Sequence, residues 1–562
     1  MTSEGTRRWR LVPVLAAIAV LSACGGGGGD DGLPRLAPAQ GTALKGDCTA
    51  LAGRLSGIAD TTITSSTLVA AGALPSGQQA PAHCLVQGSM HQRVSPVDGN
   101  RYAIGFEMRL PVAWNGRFLH QGNGGIDGAV VAATGDFGAG GGSALQKGFA
   151  VLSSNAGHDG SRGPFFGVDP QARLDYGYQA VGKLTPVAKK VIATAYDKAP
   201  DRSYFSGCSN GGRHAMIAAA RYAADYDGIL AGAPGYNLPK AALANIAGGQ
   251  LYASVASDPA DISTGFTADE RTTVAAAVLA KCDALDGASD GIVQDIAACR
   301  TSFSLQRDVP TCGGARTGSC LSPAQKTAIG KIFSGPTTSN GERIYASFPY
   351  DPGLAQPGNA FWEFFAPLVL DSGAVGVIFK VPPENPATFN GPAFALGADL
   401  DALAQAITAT NGLYTESAME FMTPPHPTRM ETLRDRGGKI MVVHGVSDPI
   451  FSYDDSESWF RGLDAANEGR GSRFARLFPV PGMGHCQGGP ATDRFDALQA
   501  LVQWVEQGDD PDRLVASARA DNADLPAGWS PQRTRPLCPF PLVARYRGSG
   551  SVESAASFEC RP

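Results

Sequence analysis

Between about residues 100 and 156, short apolar runs alternate with glycine turns. Tyr102-Ala103-Ile104-Gly105-Phe106, Arg117-Phe118-Leu119-His120 and Phe149-Ala150-Val151-Leu152 have the length and composition of strands. A longer period follows. Val187, Val191, Ile192 and Ala195 recur on one face, which predicts a helix from about 186 to 197. Thr185 is its expected N-cap and Pro186 its first residue, where a missing N–H costs nothing. Ser203-Tyr204-Phe205-Ser206 then reads as a strand, and Ala215 to Ala220 as a helix beyond a glycine turn. Strand, turn and helix in that order imply an α/β fold with a parallel sheet.

Residues 237–425 break this pattern with two close cysteine pairs, Pro/Gly-rich loops and the aromatic cluster Phe361-Trp362-Glu363-Phe364-Phe365. The alternation resumes after Lys439, where Ile440-Met441-Val442-Val443 is a buried-strand run. The expected organisation is a core in two parts, residues 48–236 and 426–562, around a large inserted lid domain at 237–425. No internal repeat is present.

Composition adds limits. A chain of 562 residues is long for one core, and 43% hydrophobic with 17% charged residues is globular. The net charge is -6 and no dense Lys/Arg run follows residue 10, so nucleic-acid binding has no electrostatic basis. Arg7, Arg8 and Arg10 precede an apolar run, Leu11 to Leu21, too short to span a bilayer. Leu21-Ser22-Ala23-Cys24 and a glycine run follow, a pattern that resembles a lipobox. The expectation is a signal peptide at 1–23, lipidation at Cys24 and a flexible tether at 24–47. Membrane contact would then be through the lipid anchor alone, and Gly25 after Cys24 favours the outer membrane.

There are 11 cysteines, and setting Cys24 aside leaves ten: Cys48, Cys84, Cys208, Cys282, Cys299, Cys312, Cys320, Cys486, Cys538 and Cys560. In an exported chain these suggest disulfides. Sequence alone leaves the connectivity open. Local pairing suggests 48–84, 282–299, 312–320 and 538–560, with Cys208 and Cys486 left over.

Gly207-Cys208-Ser209-Asn210-Gly211 matches G-x-S-x-G, in which a tight strand-to-helix turn projects a serine above the sheet. Such a serine needs a base, and the base an orienting acid, in the order Ser, acid, His. Asp448 follows the strand run at 440–443, and His485 lies in the glycine loop Gly482-Met483-Gly484-His485-Cys486. Both fall at carboxyl ends of strands, where α/β sheets build their sites. His444 is the rival base and is read as structural. Asp454 and Asp455 are rival acids, read as solvated N-cap residues of the next helix. His214 is read as a packing or surface residue. Gly122-Asn123-Gly124-Gly125 offers an early loop for binding an oxyanion, with the N–H groups of Gly124 and Asn210 as donors. In the insert, Asp283, Asp286 and Asp290 are spaced three and four apart among glycines. With the carbonyls of Ala288 and Ile292 they form an oxygen-rich loop of the kind that suits Ca²⁺. It is not an EF-hand, since no closing glutamate is present.

These residues together resemble the tannase/feruloyl esterase family, which includes mono(2-hydroxyethyl) terephthalate hydrolases. The resemblance runs from about residue 48 to the end. It rests on Cys208-Ser209-x-Gly211-Gly212, on His485-Cys486, and on Cys-Asp-x-x-Asp-Gly-x-x-Asp-Gly at 282–291. It implies an α/β-hydrolase core, a Cys208–Cys486 disulfide across the active site, and a lid with structural Ca²⁺ on the five residues named above. It further implies hydrolysis of small esters of aromatic acids, such as feruloyl or galloyl esters, with Phe451 and Trp362 as candidate pocket walls. Terephthalate-specific members hold the free carboxylate with a lid arginine. Residues 360–395 contain Lys380 and no arginine, which places feruloyl- or galloyl-type esters ahead of terephthalate monoesters. The alternative from another class is a non-catalytic, ligand-binding surface lipoprotein; a peptidase or a lipase is the enzymatic rival, although no extended apolar lid helix is legible.

Overall fold

The structure is a computed structural model and describes Met1 and residues 33–562. The expected signal peptide and Cys24 lie outside the described residues. A nine-stranded mixed sheet forms the centre. In chain order its strands are β1 (Thr61–Val69), β2 (His83–Val94), β3 (Arg101–Pro111), β4 (Arg117–Gln121), β5 (Ala150–Ser154), β6 (Arg202–Cys208), β7 (Gly228–Gly232), β8 (Lys439–Gly445) and β9 (Ala475–Val480). Across the sheet they run β9-β8-β7-β6-β4-β5-β3-β2-β1. The first six in that order pair in parallel, and β3, β2 and β1 continue the sheet antiparallel.

The parallel strands are short apolar runs because helices cover both faces. Every residue of β8 is buried. One face packs α1 (Ala180–Tyr196), α2 (Asn210–Arg221) and α7 (Tyr453–Ala466); the other packs α8 (Ala497–Gln507). Helix α1 begins earlier than its pattern predicted. Thr185 is not its N-cap but lies inside it, its hydroxyl donating to the Val181 carbonyl at 2.7 Å, and Pro186 is also internal. Burial wins over the proline penalty here. Leu184, Val191 and Ile192 are all removed from water, each contributing about 1.5–3 kcal/mol. Strands β1 and β2 were not legible. They face the core on one side only, and Thr and Ser occupy much of β1.

No strand of this sheet falls between Gly232 and Lys439. That stretch is largely helical, with α3 (Leu238–Val255), α4 (Ala268–Cys282), α5 (Pro323–Ser334) and α6 (Phe361–Phe379) among its elements. Helix α6 corrects the expectation that no extended apolar lid helix exists. Pro367, Gly373 and Gly376 interrupt its sequence pattern, and wide π turns absorb them. A Cβ at Gly376 would stand 2.6 Å from the Phe389 ring, so close packing requires the glycine. Among the described residues α6 alone is long and apolar enough to cross a membrane, but 61% of that window is buried, as in a core helix.

The described part of the expected tether is not free. The Ala39 N–H donates to Glu506 Oε2 at 2.8 Å, the Gln40 N–H donates to Asp201 Oδ2 at 2.7 Å, and Thr42–Ala43 pairs with Ala113–Trp114. Residues 33–47 therefore dock on the core, since pairing satisfies backbone groups that composition alone suggested would be solvated. The ten cysteines form Cys48–Cys84, Cys208–Cys486, Cys282–Cys299, Cys312–Cys320 and Cys538–Cys560.

Candidate active site

Ser209 stands on the turn between β6 and α2 at φ 66°, ψ -127°. A non-glycine residue held there costs of order 1–3 kcal/mol, a strain typical of functional turns. Surrounding backbone holds it: the Ser209 N–H donates to Gly232 O and its own carbonyl accepts from the Arg213 N–H, both at 3.0 Å. The flanking glycines answer a close approach of backbones. A Cβ on Gly207 would lie 2.6 Å from Gly122 O, and one on Gly211 would lie 2.3 Å from it.

The loops after β8 and β9 converge on this turn. They pack directly on each other, since a Cβ on Gly445 would lie 2.3 Å from Gly484 O. His485 Nε2 is 2.8 Å from Ser209 Oγ, and His485 Nδ1 is 2.7 Å from Asp448 Oδ2. Asp448 Oδ1 accepts from the Ile450 and Phe451 N–H groups, both at 3.0 Å. Burial disfavours the charge on Asp448, yet His485 and His444 beside it outweigh that and hold the carboxyl well below its usual range. The chain can pass a proton from Ser209 Oγ to a base whose other nitrogen is fixed by an anion.

His444 is fully buried, with Nδ1 on Ser456 Oγ and Nε2 on Phe451 O, both at 2.8 Å. Its Nε2 also stands 3.5 Å from Asp448 Oδ2, so it braces the acid and does not reach Ser209. Asp454 and Asp455 differ from expectation. Ser452 is the cap of α7; Asp454 pairs with Arg300, and Asp455 is buried on Tyr236 and Asn237. Both carboxyls are therefore packed between α7 and its neighbours and neither is simply solvated.

Gly124 lies over the turn: a Cβ there would stand 3.9 Å from Ser209 Cβ. The loop is anchored by Asn123, whose Nδ2 donates to Ser153 Oγ and to Ser154 O. Three residues not singled out for the site surround Asn210. Asp127 Oδ2 is 2.7 Å from Asn210 Nδ2 and 2.8 Å from His214 Nε2, and Arg213 Nε donates to Asn210 Oδ1 at 2.7 Å. His214 is thus a buried, ion-facing residue. Its position one helical turn after Asn210 was the available signal.

Two rings meet His485 edge to face, Trp362 at 4.8 Å and Phe451 at 5.4 Å between centroids. A cavity of about 50 Å³ adjoins Trp362, Glu363, Asn245 and Asp448. Its lining includes neither Ser209 nor His485, so it lies beside the site and is not the space over Ser209. Burial pushes the Glu363 carboxyl up to about 7 despite Arg271 at 3.4 Å.

The acidic loop is remote in sequence and braced by the C-terminal segment. Asp290 is buried against Arg535, and Arg533 donates to the Asp290 carbonyl at 2.7 Å. Asp283 Oδ1 accepts from the Asp290 and Gly291 N–H groups at 3.0 Å, and Asp286 Oδ1 from Ala288 N–H at 2.9 Å. Among the described residues, no three His, Cys, Asp or Glu side chains converge as a ready metal cage. Asp286 Oδ2 is buried with no hydrogen-bond partner. Burial first, then Asp290 and Asp283, push this carboxyl up to about 7. An orphaned buried carboxylate oxygen in a loop of three acids fits a hard cation in charge and donor chemistry.

Known proteins share this arrangement of chain. A family model described as tannase and feruloyl esterase matches residues 84–561. Over 529 residues, 87% of each chain, the sequence is 39% identical to mono(2-hydroxyethyl) terephthalate hydrolase from Piscinibacter sakaiensis. It is 28% identical over 487 residues to a probable feruloyl esterase B from Emericella nidulans, covering 82% of this chain and 84% of that one. The crystal structure of feruloyl esterase B from Aspergillus oryzae superposes with a TM-score of 0.72 at 23% identity, over 92% of this chain and 100% of that one. Tannin acyl hydrolase from Aspergillus niger gives 0.67 at 19% identity, over 90% and 92%. At these identities the two structures speak for the fold, and the family model and the sequence relatives for the class of reaction. The chain belongs to the tannase and feruloyl esterase family and is a carboxylic ester hydrolase on an α/β-hydrolase core.

Proposed function

We propose that the enzyme cleaves esters of aromatic acids, of feruloyl or galloyl type, by two-step acyl transfer on Ser209. The observation that carries this reading is the continuous line from Ser209 Oγ through His485 to Asp448, with Trp362 and Phe451 against the His485 ring. His485 Nε2 takes the Ser209 proton as Oγ attacks the ester carbonyl. Asp448 holds Nδ1–H and stabilises the imidazolium. The N–H groups of Gly124 and Asn210 receive the oxyanion, each worth about 3 kcal/mol of barrier. His485 returns the proton to the leaving alkoxide, the alcohol departs, and water repeats the sequence on the aromatic acyl-enzyme.

A terephthalate monoester is the second reading, favoured by the 39% identical relative named for that substrate. Against it, residues 360–395 hold no arginine, and their one cation, Lys380, is paired with Glu384. A hydrolysis panel of methyl ferulate, methyl gallate, mono(2-hydroxyethyl) terephthalate and p-nitrophenyl acetate separates the readings. Ser209-dependent turnover is expected to be highest on one of the first two. A preference for the terephthalate monoester would move the assignment to that substrate, and activity that survives Ser209→Ala would reject the mechanism.

We also propose that Asp283, Asp286, Asp290 and the carbonyls of Ala288 and Ile292 hold structural Ca²⁺. The orphaned Asp286 Oδ2 supports this. The ion would neutralise Asp283 and Asp286 beside the Arg535-paired Asp290 and fix this loop against the C-terminal segment, with no part in acyl transfer. Calcium is expected to raise Tm by several degrees and EDTA to reverse it, with Asp286→Asn abolishing the response. An equal Tm in calcium and EDTA would remove the ion. An exported, lipid-anchored enzyme is the matching location. Its support is the lipobox-like Leu21–Cys24 and five disulfides, which persist in oxidising compartments.

A further inference from the structure

The two proposed oxyanion donors come from different parts of the chain. Gly124 lies on the loop after β4, and Asn210 opens α2 behind Ser209. An oxyanion hole works only if both N–H groups are held at one spacing before the charge develops, because donors that must reorganise forfeit most of their effect. Something must therefore fix the loop relative to the helix.

We propose that Asp127 is the positioning residue that sets this spacing, by tying the oxyanion loop to Asn210 and His214 through one buried carboxylate. The proposal rests on the acyl-transfer reading above. Asp127 is three residues past Gly124 on the same loop, at φ 57°, and its N–H reaches back to the Gly124 carbonyl at 3.3 Å. Its side chain is 2% exposed. A single oxygen, Oδ2, accepts from Asn210 Nδ2 at 2.7 Å and from His214 Nε2 at 2.8 Å. The Asn210 amide is held from its other end by Arg213 Nε, and it also reaches the Asn123 carbonyl at 3.4 Å. The residue that offers the second donor is thus clamped on both sides of its side chain, and one clamp is the first donor's own loop.

The imidazole in this clamp has a defined tautomer. Arg213 can only donate, and its Nη2 is 3.2 Å from His214 Nδ1. It is 3.2 Å from Nε2 as well and so does not choose between them, but Nε2 faces the Asp127 carboxylate, which can only accept, so Nε2 carries the hydrogen and Nδ1 is the acceptor. Burial, and then Arg213, lower the His214 pKa, so the ring is neutral and keeps this tautomer. Arg213 is fully buried, and its remaining donors go to the Gly177, Met422 and Tyr176 carbonyls. The carboxylate is left as the acceptor on which the loop, the helix and the imidazole converge.

None of these side chains touches Ser209, His485 or Asp448 through a hydrogen bond, so the effect is on geometry at the oxyanion. Misplacement by about 1 Å costs on the order of 100-fold in rate. Asp127→Leu is expected to lower kcat by about 10- to 100-fold on the best ester of the panel, with KM within about threefold. Affinity for phenylboronic acid, which forms a tetrahedral anion on the serine, should fall by the same factor as kcat/KM. Affinity for the product acid, which makes no such anion, should stay unchanged. Asn210→Ala, which keeps the backbone N–H and loses the clamp, should match Asp127→Leu, and the double variant should be no worse than either. His214→Gln, which can still offer an N–H to the carboxylate, should recover most of the rate that His214→Leu loses. Should Asp127→Leu be poorly folded, the Asn210→Ala and His214 pair carry the test. Parallel losses of boronate and product affinity would overturn the proposal in favour of a purely structural role, and so would an unchanged kcat. Wild-type turnover that does not depend on Ser209 would instead overturn the acyl-transfer reading, and this inference with it.

Discussion

Asp448→Asn is expected to lower kcat by about 10,000-fold while leaving the enzyme folded and KM nearly unchanged. The size of the effect follows from how Asp448 is held. Its Oδ1 accepts from the Ile450 and Phe451 N–H groups, so the carbonyl oxygen of an asparagine would keep that place. The asparagine NH₂ would then face His485 Nδ1 where an anion now stands. Nδ1 would become an acceptor and the ring hydrogen would move to Nε2, the atom that must take the Ser209 proton. The base is present but in the wrong tautomer. The imidazolium formed during attack also loses its counter-charge. Steady-state kinetics at saturating ester, with Tm as a control for folding, measures this. A loss of less than tenfold would show that Asp448 does not orient the base.

Opening the Cys208–Cys486 disulfide is the second large effect. These residues directly flank the chemistry: Cys208 comes before Ser209, and Cys486 comes after His485. The bond joins segments 278 residues apart, across the whole stretch between Gly232 and Lys439 that adds no strand to the sheet. It thereby holds the candidate nucleophile and base in one frame although they arrive on separate parts of the core. Cys208→Ala/Cys486→Ala is expected to lower kcat/KM by roughly 100-fold, the scale of an ångström of misplacement. It should also lower the unfolding midpoint, since a loop of this length carries about 4 kcal/mol or more of chain-entropy stabilisation. Cys312→Ala/Cys320→Ala is the control. That bond closes a loop of 8 residues within the insertion, and its loss should leave kcat unchanged. Equal effects of the two pairs on turnover would mean that the active-site bond serves stability alone.

Much of the candidate site is legible in the sequence, and the reason is local chemistry. Ser209 sits in a glycine pattern that backbone crowding demands, and Asp448 and His485 each follow an apolar parallel strand. Such strands are covered on both faces and therefore read as unbroken apolar runs. Where only one face is buried, as in β1 and β2, the signal thins and the strands were missed. Helix α6 was hidden for another reason: Pro367, Gly373 and Gly376 answer contacts with other parts of the chain, which no local pattern records. The docking of residues 33–47 and the start of α1 before Thr185 are likewise tertiary outcomes. Asp127 shows the same limit at the site itself. Its role depends on a partner 83 residues away, and a lone aspartate in a glycine-rich loop looks solvated until the helix is placed beside it.

The most direct test of the account is capture of the covalent intermediate. The enzyme is mixed with p-nitrophenyl ferulate, quenched in acid on the millisecond-to-second scale, and its intact mass and proteolytic peptides are measured. The account predicts a feruloyl adduct that forms with the p-nitrophenol burst, decays with turnover and maps to Ser209, and that is absent in Ser209→Ala. An adduct on another residue, or ester turnover that persists in Ser209→Ala, would contradict it.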